Sequence, residues 1–196
     1  LYFDRLDALC HKHGPQSAEF DAAARLFLSM MQELFYNNCR DKSEINGKTA
    51  LLMSADHGQV AVNPQTTYYL DRAIPDFARY VQSNRQGQLL IPAGSARDLF
   101  LYIKEDVVAE AITLLQRHLA GRAEVHRTQE LLAQGFFGTQ QPSRALLQRL
   151  GNVVILPYQG ESVWWTKDGK PSMQFHGHHG GLTRAEMEIP LLFLPL

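Results

Sequence analysis

The stretch "GKTALLMSADHG", residues 47–58, predicts a buried strand that ends in an acid–histidine pair. A mostly apolar run without polar alternation is typical of a strand covered on both faces by helices, so it favours an α/β fold. Asp56 and His57 stand at the tip of this strand, and Gly58 gives the turn the freedom to point both side chains toward one place. Binding sites in open α/β sheets gather at such strand ends, so this tip is a candidate site.

The composition is that of an ordinary globular protein, with 45% hydrophobic and 20% charged residues. A length of 196 residues fits one domain, or one domain with a smaller inserted lobe. The formal net charge of −1 gives no general attraction to nucleic acid or to anionic membranes. Two cysteines, Cys10 and Cys39, cannot form a disulfide framework, and no apolar run approaches the roughly 20 residues of a membrane-spanning helix.

Apolar periodicity predicts the elements at the two ends of the chain. "LYFDRL", residues 1–6, reads as a short strand, and "IPLLFLPL", residues 189–196, reads as a buried final strand. Residues 18–38 are expected to form a helix, because apolar side chains recur there at steps of three and four. The members of this apolar face are Phe20, Ala24, Phe27, Met31, Leu34 and Phe35.

The middle of the chain alternates between strand and helix patterns and is expected to close as a small lobe. Strands are predicted within "LLIPAGSARDLFLYI", "AEVHR" and "NVVILP", and helices within "EDVVAEAITLLQRHL", "TQELLAQ" and "PSRALLQRL". We therefore expect residues 1–85 and 159–196 to form the core and residues 86–158 to form an inserted α+β lobe.

Two further spots carry side chains that bind metals. Asp7 and His11 are four residues apart, so both side chains lie on one side of a helical turn. The stretch "FHGHHGGLTR", residues 175–184, places His176, His178 and His179 among glycines. Carboxylate and imidazole ligands without thiolate suit a catalytic zinc or a manganese-like ion rather than a closed structural zinc site.

Simpler explanations exist for each of these spots. An aspartate beside or four residues from a histidine occurs often by chance, and a histidine loop between glycines can be no more than a solvated polar loop. An unrelated α/β binding domain with histidines on its surface is therefore one alternative to a metal enzyme. The recurrence of such residues at several strand ends favours the metal site.

Three motifs, in this order, resemble the type I phosphodiesterase/nucleotide pyrophosphatase branch of the alkaline phosphatase superfamily. The first is an aspartate and a histidine before Gly-Pro, in "DALCHKHGP" at 7–15, and the second is "ADHG" at 55–58. The third is "GHHGGL" at 177–182, followed by "EM" at 186–187 and "PLL" at 190–192. The resemblance implies part of an alkaline-phosphatase-like three-layer sandwich with an inserted small lobe.

The resemblance also implies two divalent metal ions, zinc or alternatively manganese. Asp7, His11 and His179 would hold one ion, and Asp56 and His57 would hold the other. His179 fits the family position because Gly-Gly-Leu follows it directly.

The remaining histidines and the cysteine of these motifs match no ligand position. His176 and His178 are then expected on the substrate side, behind the ligands in contact with them, or simply in solvent. His13 and Cys10 are expected in the core or on the surface.

One expected part of the family pattern is not found in this sequence. Family members carry, further upstream, another aspartate ligand and the Ser or Thr nucleophile, and Ser54 is a poor substitute because it is expected to point into the core. We therefore expect the C-terminal half of a metal-dependent hydrolase of phosphoric esters, inactive by itself. The alternatives are a catalytically incomplete fragment that binds metal without turnover and a non-enzymatic α/β binding domain.

The expected partners follow from the same resemblance. The substrate would be a small phosphoester or nucleotide and not a nucleic-acid polymer. The N-terminal half, or a second copy of the chain, is expected to cover sheet surface that this half leaves open. The compartment, cytoplasmic or extracytoplasmic, would depend on sequence upstream of Leu1.

Overall fold

The computed structural model describes residues 2–44, 46–166, 170 and 172–196 and divides into two compact units. The first unit contains Leu1–Ala61, Phe175–His179 and Thr183–Leu196, and the second contains Val62–Gln174 and Gly180–Leu182. The predicted lobe at 86–158 falls within the second unit, and its predicted boundaries stay a prediction.

Helices make up most of the N-terminal part of the first unit. Helix α1 spans Arg5–His13, and α2 spans Ala18–Met30 and begins where the Ser17 hydroxyl accepts a hydrogen bond from the Phe20 amide. The helix then continues through a π-helical stretch, Met31–Tyr36, into α3 at Asn37–Arg40. The helix predicted for residues 18–38 is thus confirmed.

The strand predicted for "LYFDRL" is wrong, because α1 begins within that stretch at Arg5. Leu6, Leu9 and Cys10 recur at helical spacing, and Cys10 is buried. The few apolar residues before them are too short a run to form a strand of their own.

Two small antiparallel sheets complete the first unit, together with the short helix α8 at Arg184–Met187. Strand β1, Ala50–Ser54, pairs with β10, Leu191–Pro195. Strand β2, Val60–Ala61, pairs with β9, Gly177–His178.

The predicted burial of β1 and β10 is wrong in this chain. Leu52 lies opposite Phe193, and their side chains are 64% and 65% exposed. Leu191, on the same face two residues from Phe193, is 71% exposed. We call Leu52, Leu191 and Phe193 the open face of the β1–β10 sheet. These strands have the apolar residues of buried strands, but no layer of the described chain covers this face.

The second unit is built around a four-stranded antiparallel sheet in the order β4-β5-β7-β6. Its strands are β4 (Ala93–Ser95), β5 (Asp98–Leu101), β6 (Ala123–Arg127) and β7 (Val153–Pro157). Its longer helices are α5 (Val108–His118), α6 (Thr128–Ala133) and α7 (Arg144–Arg149). A short parallel pair, β3 (Tyr68–Tyr69) with β8 (Val163–Trp164), and helix α4 (Leu70–Ala73) accompany the sheet. Short 3-10 helices lie at Pro64–Thr66, Pro75–Tyr80 and Glu105–Val107.

Alternate residues of the central strands β5 and β7 pack into two different cores, because successive side chains of a strand point to opposite faces. Leu99 and Ile155 belong to the core that includes Leu115 of α5. Phe100 and Val154 belong to the other core, with Leu131 of α6. The sheet is therefore covered by helices on both faces, as its continuous apolar strands indicate.

Candidate metal centre

The candidate ligands all lie in the first unit, and α1 supplies two of them. Asp7 and His11 are one turn apart, and the Asp7 Oδ1 atom lies 3.5 Å from His11 Nε2. The His11 Nδ1 atom lies 2.8 Å from the Gly177 carbonyl oxygen, so Nδ1 carries the proton and donates it. The Nε2 lone pair is left facing Asp7, which is the orientation that metal-binding histidines adopt when a carbonyl holds the other ring nitrogen.

The second pair follows β1 directly. The His57 Nδ1 atom donates to the Gly58 carbonyl oxygen at 3.0 Å, and Nε2 lies 3.8 Å from Asp56 Oδ1. Gly58 is needed for space, because an added Cβ would overlap the Ala185 carbonyl oxygen. The expectation that Gly58 supplies unusual backbone freedom is wrong, because the φ angle of Gly58 is not in the positive range that favours glycine.

His179 joins the two pairs. It follows β9, whose pairing with β2 holds the histidine stretch in place. The His179 Nε2 atom lies 3.9 Å from Asp7 Oδ1, and its ring stacks on that of His57 with centroids 3.7 Å apart and planes 16° from parallel. One ligand atom from each of Asp7, His57 and His179 lies within 4.8 Å of the others. Five side chains from three separate stretches are thus linked by short distances, and their role as ligands stays a prediction.

Burial and neighbouring imidazoles set the charge of His179. Burial lowers the pKa of His179 below its ordinary value, and the rings of His57 and His11 lower it further. The side chain is therefore neutral near pH 7 and keeps a lone pair for a cation.

Tyr2 lies beside Asp7 and Asp56, and the Asp56 carboxylate is the main cause of the raised pKa of Tyr2.

Cys10 lies between the first two candidate ligands in sequence and is buried. Burial raises the pKa of its thiol to about 11, so the thiol stays protonated at neutral pH. Cys10 is therefore a core residue, which is one of the two placements expected from the sequence, the core or the surface.

The other two histidines of the loop occupy different environments. His178 is 7% exposed and meets the His11 ring edge-on, with centroids 5.6 Å apart. His176 is exposed, and its backbone amide donates to the His11 carbonyl oxygen at 2.8 Å. The substrate-binding role of His176 and His178 stays a prediction.

Sequence reasoning missed two residues that shape this centre. The Gln59 amide nitrogen donates to Asp7 Oδ1 at 2.5 Å. Gly177 lies so close to α1 that an added Cβ would overlap the Cys10 carbonyl oxygen and lie 2.8 Å from Gln59 Oε1. Gln59 follows the Asp56–Gly58 motif directly, which indicates that it lies near the site. Nothing in the sequence shows that its side chain contacts α1.

Ser54 does not point into the core as expected. It is exposed, and its hydroxyl donates to the Pro190 carbonyl oxygen at 3.0 Å. Tyr68, Trp164 and Trp165 pack against the larger core of the second unit.

The donor set fits a divalent cation. Ligands about 2.0–2.2 Å from a tetrahedral zinc lie about 3.3–3.6 Å from one another, and the 3.5 and 3.9 Å separations around Asp7 Oδ1 are close to this range. The two carboxylates supply negative charge, and the anchored imidazoles present Nε2. Carboxylate and imidazole donors without a thiolate suit a divalent cation and not an iron–sulfur cluster.

The fold is shared with solved structures of nucleotide pyrophosphatase/phosphodiesterases and of a phosphonoacetate hydrolase. The chain superposes on human ectonucleotide pyrophosphatase/phosphodiesterase 5 with a TM-score of 0.66 and 16% identity, covering 99% of this chain and 46% of that one. The murine protein, as an inactive variant in complex with AMP, gives 0.65 and 18%, with the same coverage. Phosphonoacetate hydrolase from Sinorhizobium meliloti gives 0.61 and 16%, covering 95% of this chain and 43% of that one. None of the curated protein sequences matches the chain.

These likenesses define the class of fold, an α/β fold of the alkaline phosphatase type. Residues 1–182 match the family described as type I phosphodiesterase/nucleotide pyrophosphatase, and the chain belongs to that family. Members are typically dependent on divalent metals. The chain spans about half the length of the solved structures it matches. In the described part of the chain, no helix has the length and hydropathy that crossing a bilayer requires.

Proposed function

We propose that the first unit is the metal-binding half of a hydrolase of phosphoric esters, of the phosphodiesterase/nucleotide pyrophosphatase type. The observation that carries the proposal is the convergence of Asp7, His57 and His179, whose ligand atoms lie within 4.8 Å of one another although the residues are far apart in sequence. His11 and Asp56 flank this group at 3.5 and 3.8 Å from their partners.

Two neighbouring ions suit this arrangement better than one. A ring nitrogen coordinates in the plane of its ring, so the stacked rings of His57 and His179 favour two parallel coordination axes over one shared ion. Their 3.7 Å spacing resembles the separation of about 3.5–4 Å between ions in two-metal sites. This supports one ion held by Asp7, His11 and His179 and another held by Asp56 and His57. Of the close group, Asp7 and His179 would then belong to one ion and His57 to the other.

Each side chain has a definable task in such a site. When bound, divalent ions polarise the phosphoryl oxygens and stabilise the charge that builds on the attacking and leaving oxygens. Asp7 and Asp56 bring the negative charge that attracts the cations. Hydrogen bonds to the Gly177 and Gly58 carbonyls hold the His11 and His57 rings in the tautomer that presents Nε2. The lowered pKa of His179 keeps its ring unprotonated at neutral pH.

The nucleophile is proposed to come from an upstream segment of the intact protein. Ser54, the hydroxyl nearest in sequence to Asp56, donates its proton to the Pro190 carbonyl oxygen. The chain spans 46% of its human structural neighbour, which leaves room in that fold for a Ser or Thr on another segment. The chain by itself is therefore proposed to bind metal without turnover.

The open face of the β1–β10 sheet supports the same proposal. Among the described residues, β1 and β10 pair only with each other, and an isolated two-stranded sheet is marginally stable in water. Leu52, Leu191 and Phe193 present a side that a buried strand would cover. We propose that the N-terminal half of the catalytic domain adds strands and covers this face. A second copy of the chain is the competing occupant.

Hydrolysis assays on two proteins test the proposal. The chain and a version extended upstream to the full catalytic domain are assayed with zinc or manganese on a nitrophenyl nucleotide diester and on nitrophenyl phosphate. We expect metal-dependent hydrolysis by the extended protein only, and its loss in an Asp56→Asn, His57→Gln variant. Asp106→Asn, an exposed change in the second unit, is the matched control. Equal activity of both proteins would refute the proposal that this chain is catalytically incomplete. The absence of activity in both would refute the proposal that the protein is a hydrolase of phosphoric esters.

Metal analysis separates the proposal from the alternative of a binding domain with surface histidines. An Asp56→Ala, His57→Ala variant is expected to retain less zinc or manganese than the wild type after dialysis. Unchanged metal content would favour the surface-histidine alternative.

A further inference from the structure

Gln59 connects the turn after His57 to helix α1. Its amide nitrogen lies 2.5 Å from the Asp7 Oδ1 atom and 3.4 Å from the Asp7 backbone carbonyl oxygen. Both partners are acceptors, so the nitrogen and not the oxygen of the amide must face them. The orientation of the Gln59 side chain is therefore fixed by Asp7 itself.

The other end of the amide carries no compensating bond. Gln59 Oε1 is buried and has no hydrogen-bond partner among the described residues. A buried polar atom without a partner is destabilising. An apolar side chain of the same length would avoid this cost, so the stability of the fold gives no reason for an amide here. The contact with Asp7 does give one.

The bond acts on the carboxylate that lies between the imidazoles. The Asp7 Oδ1 atom lies 3.5 Å from His11 Nε2 and 3.9 Å from His179 Nε2. The Asp7 side chain is 37% exposed, and the hydrogen bond from Gln59 limits its rotation. A neutral amide restrains the carboxylate without cancelling its charge, which an arginine or a lysine at the same place would do.

We propose that Gln59 is a positioning residue, which holds the Asp7 carboxylate toward His11 and His179 and thereby raises the affinity of these ligands for their divalent ion. This inference rests on the proposed metal-binding function and adds a residue to it. Loss of such an outer hydrogen bond typically weakens metal binding by 10–100-fold.

Metal affinity tests the inference without any activity assay. Zinc and manganese dissociation constants are measured for the 196-residue chain by competition with a chromophoric chelator. The variants are Gln59→Met, which keeps the length and removes the donor, and Gln65→Met, an exposed control in the second unit. We expect a loss of about 10–100-fold in Gln59→Met and none in Gln65→Met. Equal affinity of wild type and Gln59→Met would overturn the inference, whereas a wild type that binds no ion would overturn the proposed function with it.

A double-mutant cycle distinguishes positioning from a general structural role. If Gln59 acts through Asp7, then Gln59→Met causes little further loss of affinity in an Asp7→Ala background. Undiminished loss in that background would contradict the inference. Should Gln59→Met fail to fold by circular dichroism, Gln59→Asn keeps an amide but shortens its reach. It is expected to weaken binding as well, and wild-type affinity in this variant would overturn the inference.

Discussion

Replacing Gly177 by alanine should damage both the stability of the first unit and its metal binding. The new Cβ would overlap the Cys10 carbonyl oxygen of α1, 3.0 Å from the carbonyl carbon. Backbone atoms cannot rotate away as a side chain does, so β9 must move away from α1. Overpacking of this kind costs about 1–3 kcal/mol. The shift would also strain the 2.8 Å hydrogen bond from His11 to the Gly177 carbonyl, worth about 0.5–1.5 kcal/mol.

The two effects together predict a loss of about 1.5–4.5 kcal/mol in the free energy of unfolding of the first unit. Because the chain has two units, hydrogen exchange of α1 and β9 amides is a better readout than a global melt. Weaker zinc binding should accompany the loss, since His179 follows β9. Gly121→Ala is the control, because an added Cβ there meets nothing within 4 Å and only the positive φ of 77° opposes it. Wild-type exchange rates and zinc affinity in Gly177→Ala would refute the close approach of β9 to α1.

Three further experiments test the core of the second unit, the open face and the environment of His179. Leu115→Ala should destabilise the second unit by about 2–5 kcal/mol, because Leu115 is fully buried. Leu52→Ala should change the stability of the isolated chain by less than about 0.5 kcal/mol, because Leu52 is exposed. Chemical denaturation monitored in each unit measures both changes. Phe193→Asp should reduce binding of a hydrophobic dye and any self-association of the chain, as measured by fluorescence and size-exclusion chromatography, because it places a charge in the open face. Without metal, the wild type should lose stability as pH falls below about 6.5, because the lowered pKa of His179 means that the unfolded chain binds a proton there more readily than the folded one. His179→Gln should show a shallower loss over the same pH range in denaturant titrations, and an identical pH dependence would contradict the assigned environment of His179.

The sequence predicted elements well where their burial is complete within this chain. The apolar residues of β7 pack into the two cores of the second unit, and the stripe of α5 contributes Leu115 to one of them. Periodicity shows which face of an element needs a cover, and in the second unit the covering layers belong to this chain. The same reasoning failed for β1, whose Leu52 is exposed, since a pattern shows that a face needs a cover and not where the cover is.

The site was accessible from the sequence at the level of residue types and motif order. The acids and histidines singled out at the ends of β1, β9 and within α1 are the ones that the fold brings near one another. The pairing of two-residue strands β2 and β9 was not predictable, because so short a run carries no periodicity. Gln59 was missed for a related reason. Its contact with Asp7 depends on how β9 packs against α1 and pairs with β2, which no spacing in the sequence encodes.

Anomalous X-ray diffraction from crystals grown with zinc or manganese would locate the bound ions. We expect two peaks about 4 Å apart, one bounded by Asp7, His11 and His179 and the other by Asp56 and His57. Well-ordered crystals at saturating metal with no peak within about 2.5 Å of these side chains would contradict it.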